Sequence, residues 1–373
     1  MSTPENRVAQ GTGGTTANTK VLVVGGTGVT GRLVREMLCE VGGIDLSYTS
    51  RRKPDDGPGN HFPLRFGAGR NEICSVLRNH DWVVNCTGPF EVYQDLVARA
   101  CIDAGTGYID VNDSIDARRA IINLDTVARQ KGVSVLTGFG LCPGLSTALL
   151  MLYARTEGAE KVGEVQVDLN IGADQESGAA SVESMFRTIR GTCREIFNGD
   201  ITEVEPDPSS AKGKGICYEC PDIDIVRNVF PATRSYSYYV EFQALPDTKL
   251  AKIRSSKLFA MPVISSFLAR LGASATSRKA RAKGSPRPTE LSIDFRPSAV
   301  DHSIGDAEAS FVRATGPSSY LMTATIASGA VVAVRDRMVS PGCRDLVGCP
   351  ELVDPILSFA REAGIRIENS ADK

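Results

Sequence analysis

Six residues near the start of the chain, Gly26-Thr27-Gly28-Val29-Thr30-Gly31, have the spacing G-x-G-x-x-G. Glycines so spaced let a chain turn tightly and bring its backbone against a diphosphate, while the free peptide N–H groups at the start of a following helix bind the phosphate oxygens. The spacing is a weak signal by itself, and its setting strengthens it. The apolar run "KVLVV" precedes it, and "VTGRLVREMLCEV", residues 29–41, follows with helical periodicity. Gly26 is expected to make the tight turn, Gly28 to admit the diphosphate, and Gly31 to let helix and strand pack closely.

About twenty residues further on, a site for an unphosphorylated dinucleotide places Asp or Glu on the ribose 2′-hydroxyl. This chain has Ser50-Arg51-Arg52 there. A serine hydroxyl and two guanidinium groups suit a 2′-phosphate, which a carboxylate would repel, so NADP(H) is expected in preference to NAD(H). In "NCTGPFEVYQ", Thr87, Gly88 and Pro89 follow the apolar run "WVVN", where ligands sit against strand ends in open α/β sheets; they should border a nicotinamide. "YIDVND" brings Asp110, Asn112 and Asp113 toward the same crevice. Asp113 is the expected acid or base, with helix capping the plainer role for Asp and Asn at this point. Tyr93 is the second candidate for proton transfer, with helix packing its plainer role. No tyrosine in the chain is followed four residues later by lysine, so the Tyr-x-x-x-Lys proton relay of short-chain dehydrogenases is missing.

These residues need a parallel sheet to gather them. From Lys20 to Thr137 short apolar runs alternate with helical patterns, which argues for a Rossmann-type α/β fold, a doubly wound parallel sheet covered by helices on both faces. From about Leu145 longer alternating segments such as "EVQVDLNI" and "RSYSYYVEF" take over, suiting a second, α+β domain with a mainly antiparallel sheet. The expected organisation is a disordered tail over 1–19, a nucleotide-binding domain over 20–145, a substrate and dimerisation domain over 146–317, and C-terminal helices over 318–373 that pack back onto the first domain. Residues 277–288, "SRKARAKGSPRP", form a basic cluster read as a solvated loop, with anionic lipid or a phosphate-bearing substrate as the other uses of its charge.

With 373 residues, 42% hydrophobic and 23% charged residues and a formal net charge of -2, the chain offers no electrostatic reason to bind nucleic acid, and a small-molecule substrate is expected. Residues 1–19 carry no apolar targeting segment, and "LFAMPVISSFLA" from Leu258 is too short to span a bilayer; no transmembrane segment and a cytoplasmic location are expected. The ten cysteines read as reduced core thiols. The pairs Cys217 with Cys220 and Cys343 with Cys349 are too far apart in the chain for a ready zinc site, and no metal is expected.

Taken together, "GGTGVTG", "NCTGPFEVYQDLVARACIDAGTGYIDVND", "GFGLCPGLST", the late "SYLMTATIASGAVVA" and "GCPEL" resemble the saccharopine dehydrogenase-like (saccharopine reductase) family, most specifically in the middle segment. The resemblance implies cofactor contacts from Gly26 through Thr27, Gly28, Val29 and Thr30 to Gly31, from Ser50 to Arg52, and from Cys86 through Thr87 to Gly88. It implies an NADPH-dependent oxidoreductase transferring hydride to an imine or activated alkene of a small metabolite, in amino-acid-derived or secondary metabolism, with a homodimer left open. The chain departs from the family at Gln94, where glycine is usual, and at Asn112-Asp113, which replaces Gly-Glu. The alternative is a non-catalytic NADP(H)-binding redox sensor of the atypical short-chain dehydrogenase type.

Overall fold

The structure is a computed structural model that describes residues 18–51, 55–66, 70–206, 215–256, 259, 261–283, 287–297 and 309–370. Arg52 and residues 1–17 of the expected tail lie outside the described residues.

The first half runs β1 (Thr19–Val24), α1 (Val29–Glu40), β2 (Ile44–Ser50), β3 (Asn60–Pro63), α2 (Arg70–Leu77), β4 (Trp82–Asn85), α3 (Phe90–Tyr93), α4 (Leu96–Ala104), β5 (Gly107–Asp110), α5 (Ile115–Ile122), α6 (Asp125–Lys131) and β6 (Ser134–Leu136). The second half runs α7 (Leu145–Glu157), β7 (Val162–Ile171), α8 (Ala179–Arg190), β8 (Cys193–Phe197), β9 (Asp200–Val204), β10 (Ile216–Cys217), α9 (Asp222–Val229), β11 (Ser235–Phe242), α10 (Asp247–Ser255), α11 (Pro262–Lys283), β12 (Thr289–Pro297), β13 (Ser310–Gly316), α12 (Ser319–Arg335), β14 (Gly342–Arg344), α13 (Val353–Glu362) and β15 (Arg366–Asn369).

The first sheet has seven strands in the order β14-β6-β5-β4-β1-β2-β3, all parallel. The interior strand β1 is covered on both faces, which is why Val21 to Val24 form an unbroken apolar run with no accessible side. The order reverses between β1 and β4, so the carboxyl ends of these strands open a crevice at a topological switch point. The second sheet runs β15-β13-β12-β7-β11-β8-β9, with β10 beside β11. It is mainly antiparallel, as expected, except that β7 and β11 pair in parallel, Ser235 with Glu164 through Phe242 with Ile171.

Several local expectations need correcting. β1 begins at Thr19, paired with Ile44, inside the span read as tail. A single helix from Val92 to Ala104 is expected, and α3 and α4 replace it, broken at Gln94 and Asp95. The basic residues Arg278 and Lys279 lie in α11 instead of a loop, because Ala, Arg and Lys all favour helix.

The two sheets share one buried core. α12 packs on α1 and α13, with most of its length from Met322 to Val334 buried. β14 then adds to the first sheet beside β6, Cys343 opposite Val135, although it follows seven of the second sheet's strands in the chain.

Candidate functional site

The glycine turn joins β1 to α1. Its positive φ, +80°, belongs to Gly25, so the tight turn expected of Gly26 is made one residue earlier, and the Gly28 N–H closes it on the Gly25 carbonyl at 2.9 Å. Gly26 serves packing instead: a Cβ there would stand 2.6 Å from Tyr48 Cβ. A Cβ on Gly31 would lie 2.3 Å from the Gly25 oxygen, the close helix-to-strand approach expected. A Cβ on Gly28 would meet only that same oxygen, at 3.3 Å, and otherwise face open space. Gly28 caps α1, so the N–H groups of Val29, Thr30 and Gly31, in the helix's first turn, have no partner within the helix.

Behind the turn lies a residue that periodicity does not reveal. Arg35 of α1 is fully buried; its guanidinium sits 3.4 Å from the centroid of the Tyr48 ring and donates to the Gly26 carbonyl at 2.9 Å, to both Asp55 oxygens at 2.9 and 3.1 Å, and to the Pro58 carbonyl at 2.8 Å. Asp55 is partly buried, which opposes its ionisation, but pairing with Arg35 holds its carboxyl below the usual range.

A cleft of about 970 Å³ runs from this turn to the second sheet. Thr27, Gly28, Val29, Thr30, Ser50 and Arg51 line one end; Cys86, Thr87, Gly88, Tyr93 and Asp113 line the middle; Leu169, Ile171, Tyr238, Val240 and Phe242 of β7 and β11 close the far wall. Gly26 and Gly31 sit behind the lining. Ser50 Oγ is 2.8 Å from His61 Nε2. Thr87 accepts nothing and donates nothing through its buried hydroxyl among the described residues, while its N–H donates to Asn85 at 3.1 Å. Burial, and then the Asp110 charge, push the Cys86 thiol up to about 12, so it stays protonated and serves as wall.

The three polar residues at the end of β5 separate. Asp110 is fully buried and accepts hydrogen bonds from the Gly138 N–H at 2.7 Å, the Asn112 N–H at 3.0 Å, the Tyr108 hydroxyl at 2.9 Å and the Thr137 hydroxyl at 3.0 Å; burial raises it to about 6. It fastens β5 to the segment after β6 and does not line the cleft. Asn112 is buried too, accepting from the Ser114 N–H at 2.9 Å, and Ser114 caps α5. Both expectations of cleft residues are corrected by this buried network. Asp113 alone opens to the cleft. Asp113 stays exposed at the open side of the cleft; partial desolvation by the cleft walls, then the neighbouring Glu91 and Asp110 charges, lift its carboxyl to about 7.

Tyr93 reaches the cleft but also packs on Phe66, ring centroids 5.0 Å apart. Next to it Gln94 has φ 41° and ψ -115°, a backbone region that favours glycine, the residue usual at this place in the family the sequence resembles. Other polar groups at the site were not singled out from sequence. Glu91 accepts from the Ser184 hydroxyl of α8 at 2.7 Å, and Tyr320 of α12 accepts from the Gly178 N–H at 2.9 Å. Their partners lie 93 and 142 residues away, so no local spacing announces them. Among the described residues, no group of three or more His, Cys, Asp or Glu is gathered to hold a metal ion.

Neither a family profile nor a curated protein matches the chain. Solved structures do. Apo saccharopine dehydrogenase (L-Glu forming) from Saccharomyces cerevisiae aligns with TM-score 0.63 at 14% identity, covering 94% of this chain and 100% of that one. C. glutamicum DAP dehydrogenase in complex with DAP aligns with TM-score 0.51 at 15% identity, covering 92% and 99%. The resemblance carried by the sequence motifs thus extends to a fold shared along nearly the whole chain.

Proposed function

We propose that the chain is an NADP(H)-dependent oxidoreductase that transfers hydride to an imine or an activated alkene of a small metabolite, in amino-acid-derived or secondary metabolism. The observation that carries this reading is the single cleft leading from the glycine turn, past Thr87 and Asp113, to an apolar wall of the second sheet. A dinucleotide fits the residues present. Gly28 leaves room for a diphosphate where any side chain would project, the first turn of α1 offers free N–H groups, and the Thr87 hydroxyl is buried and unpartnered in the wall. Both aligned folds belong to dehydrogenases, one of them holding DAP.

When bound, the cofactor supplies the hydride. The chain's own residues do the rest. Gly28, Val29 and Thr30 hold the phosphates; Ser50 and Arg51, with Arg52, favour the 2′-phosphate, while the one carboxylate described in the stretch just after β2 that pairs with a cation, Asp55, is engaged by Arg35. Asp113, its carboxyl raised to about 7, retains a protonated fraction near neutrality and from that form delivers the proton to the acceptor. Residues of β7, β11 and α8 wall the cleft in which the reacting atoms would meet.

Fluorescence titration tests the cofactor half of this reading. The intact chain should bind NADPH more tightly than NADH, and Arg51→Ala with Arg52→Ala should weaken NADPH by about tenfold or more while leaving NADH little changed, since a charge-assisted hydrogen bond contributes about 1.5–3 kcal/mol. Equal losses for both nucleotides would refute the NADP(H) preference. Substrate-dependent NADPH oxidation across imines, enones and keto acids tests the catalytic half; tight binding with no turnover would favour the redox sensor.

A further inference from the structure

The outer face of α11 is apolar where solvent should be. Val263, Phe267 and Leu271 recur every fourth residue, so they share one face of the helix, and they are 83%, 59% and 53% exposed; Met261, just before the helix, is 54% exposed. On the inner face Ala269 is buried in the core formed with Met185, Phe186 and Ile189 of α8, so the outward side chains are not surplus to a packing they could join. Toward the carboxyl end the same outer face turns basic, with Arg278 exposed; Lys252 of the adjoining α10 is exposed as well, and Arg270 and Lys249 are exposed where they line the cleft.

The charge is segregated to an unusual degree. Residues 247–287 contain ten of the chain's 42 Lys and Arg but only one of its 44 Asp and Glu, in a chain whose formal net charge is -2. A helix that carries exposed apolar side chains amid cations matches a helix lying in the plane of a lipid–water interface. Among the described residues no helix is long and apolar enough to cross a membrane, so such contact would be with one leaflet's surface.

We propose that the outer face of α11, with the exposed lysines of α10, docks on an anionic lipid bilayer, the apolar side chains entering the headgroup boundary and the cations pairing with lipid phosphates and carboxylates. The position is useful. Ser266, Thr276 and Lys279 of the same helix line the cleft, so its mouth would stand at the bilayer surface, within reach of an apolar molecule dissolved there.

Co-sedimentation of the full chain with vesicles tests the proposal. The chain should pellet with vesicles of equal phosphatidylcholine and phosphatidylserine, and much less with phosphatidylcholine alone or in high salt, which screens surface charge. Phe267→Ser with Leu271→Ser should reduce the bound fraction about tenfold, and Arg278→Glu should weaken binding through charge alone. None of these side chains lines the cleft, so NADPH binding and thermal unfolding should remain those of the parent chain. Failure of the parent chain to bind the mixed vesicles, or binding indifferent to both sets of substitutions, overturns the proposal. So does light scattering that finds a dimer which Phe267→Ser with Leu271→Ser dissociates, in a chain that ignores vesicles; a second copy would then be what covers the ridge.

Discussion

In the proposed reaction, proton delivery turns on Asp113. A carboxyl near 7 is still largely protonated just below neutrality and loses its proton as the medium becomes alkaline, so kcat/KM should fall above about pH 7. In Asp113→Asn the rate should be lower and that alkaline limb should disappear; a persistent limb would assign the proton to another group, with Tyr93 next in line. The same shift has a sign in stability. Asp113 takes up its proton more readily folded than unfolded, since its carboxyl is raised from 3.8 to about 7. The folded chain therefore binds more protons between those values, and stability falls as pH rises through them. Asp113→Asn lacks that loss, so its thermal midpoint relative to the parent should improve from about pH 4 to about pH 7. Sequence singled out Asp113 for the proton but placed Asp110 and Asn112 at the crevice beside it. That separation depends on Gly138 and Thr137, which meet Asp110 only after β6 has paired beside β5.

At the scale of elements, the β1–α1 unit was legible because its strand is buried on both faces and its helix is amphipathic, two patterns written in adjacent residues. What local pattern leaves open is strand direction. "EVQVDLNI" and "RSYSYYVEF" alternate alike whether they run together or opposed, and the parallel pairing of β7 with β11 is made across the intervening α8, β8, β9, β10 and α9, which no local pattern reports. The position of the turn's positive φ was also hidden, since Gly25 and Gly26 are both glycine and only the packing of Gly26 on Tyr48 distinguishes them. The glycines of this unit make a paired prediction. Gly31→Ala forces a methyl into the Gly25 carbonyl and should cost about 1–3 kcal/mol of stability, as overpacking does. Gly28→Val puts its bulk into the open cleft, so unfolding should change far less while NADPH binding is lost. Denaturant titration beside nucleotide titration resolves the two. Unchanged NADPH affinity in a folded Gly28→Val chain would move the phosphates elsewhere.

The two halves of the molecule are stitched across the cleft. Arg32 of α1 pairs with Glu176 at 2.8 Å, Glu91 meets Ser184, and α12 lies against α1 with Tyr320 holding the Gly178 N–H. A chain cut after Leu145 keeps the glycine turn but loses the helix that covers α1 and the strand beside β6. It should expose apolar surface, seen as dye binding, and hold NADPH weakly at best; a compact fragment with full affinity would refute the dependence. The late arrival of β14 has a consequence for how the protein is made. Translation proceeds at about 5–20 residues per second, and roughly 200 residues separate Leu145 from Arg344, so the first sheet waits on the order of 10–40 s for its last strand. Throughout that interval the edge of β6 lacks the partner it has in the finished fold, leaving its backbone groups a template for other strands until the late segment of the same polypeptide closes it.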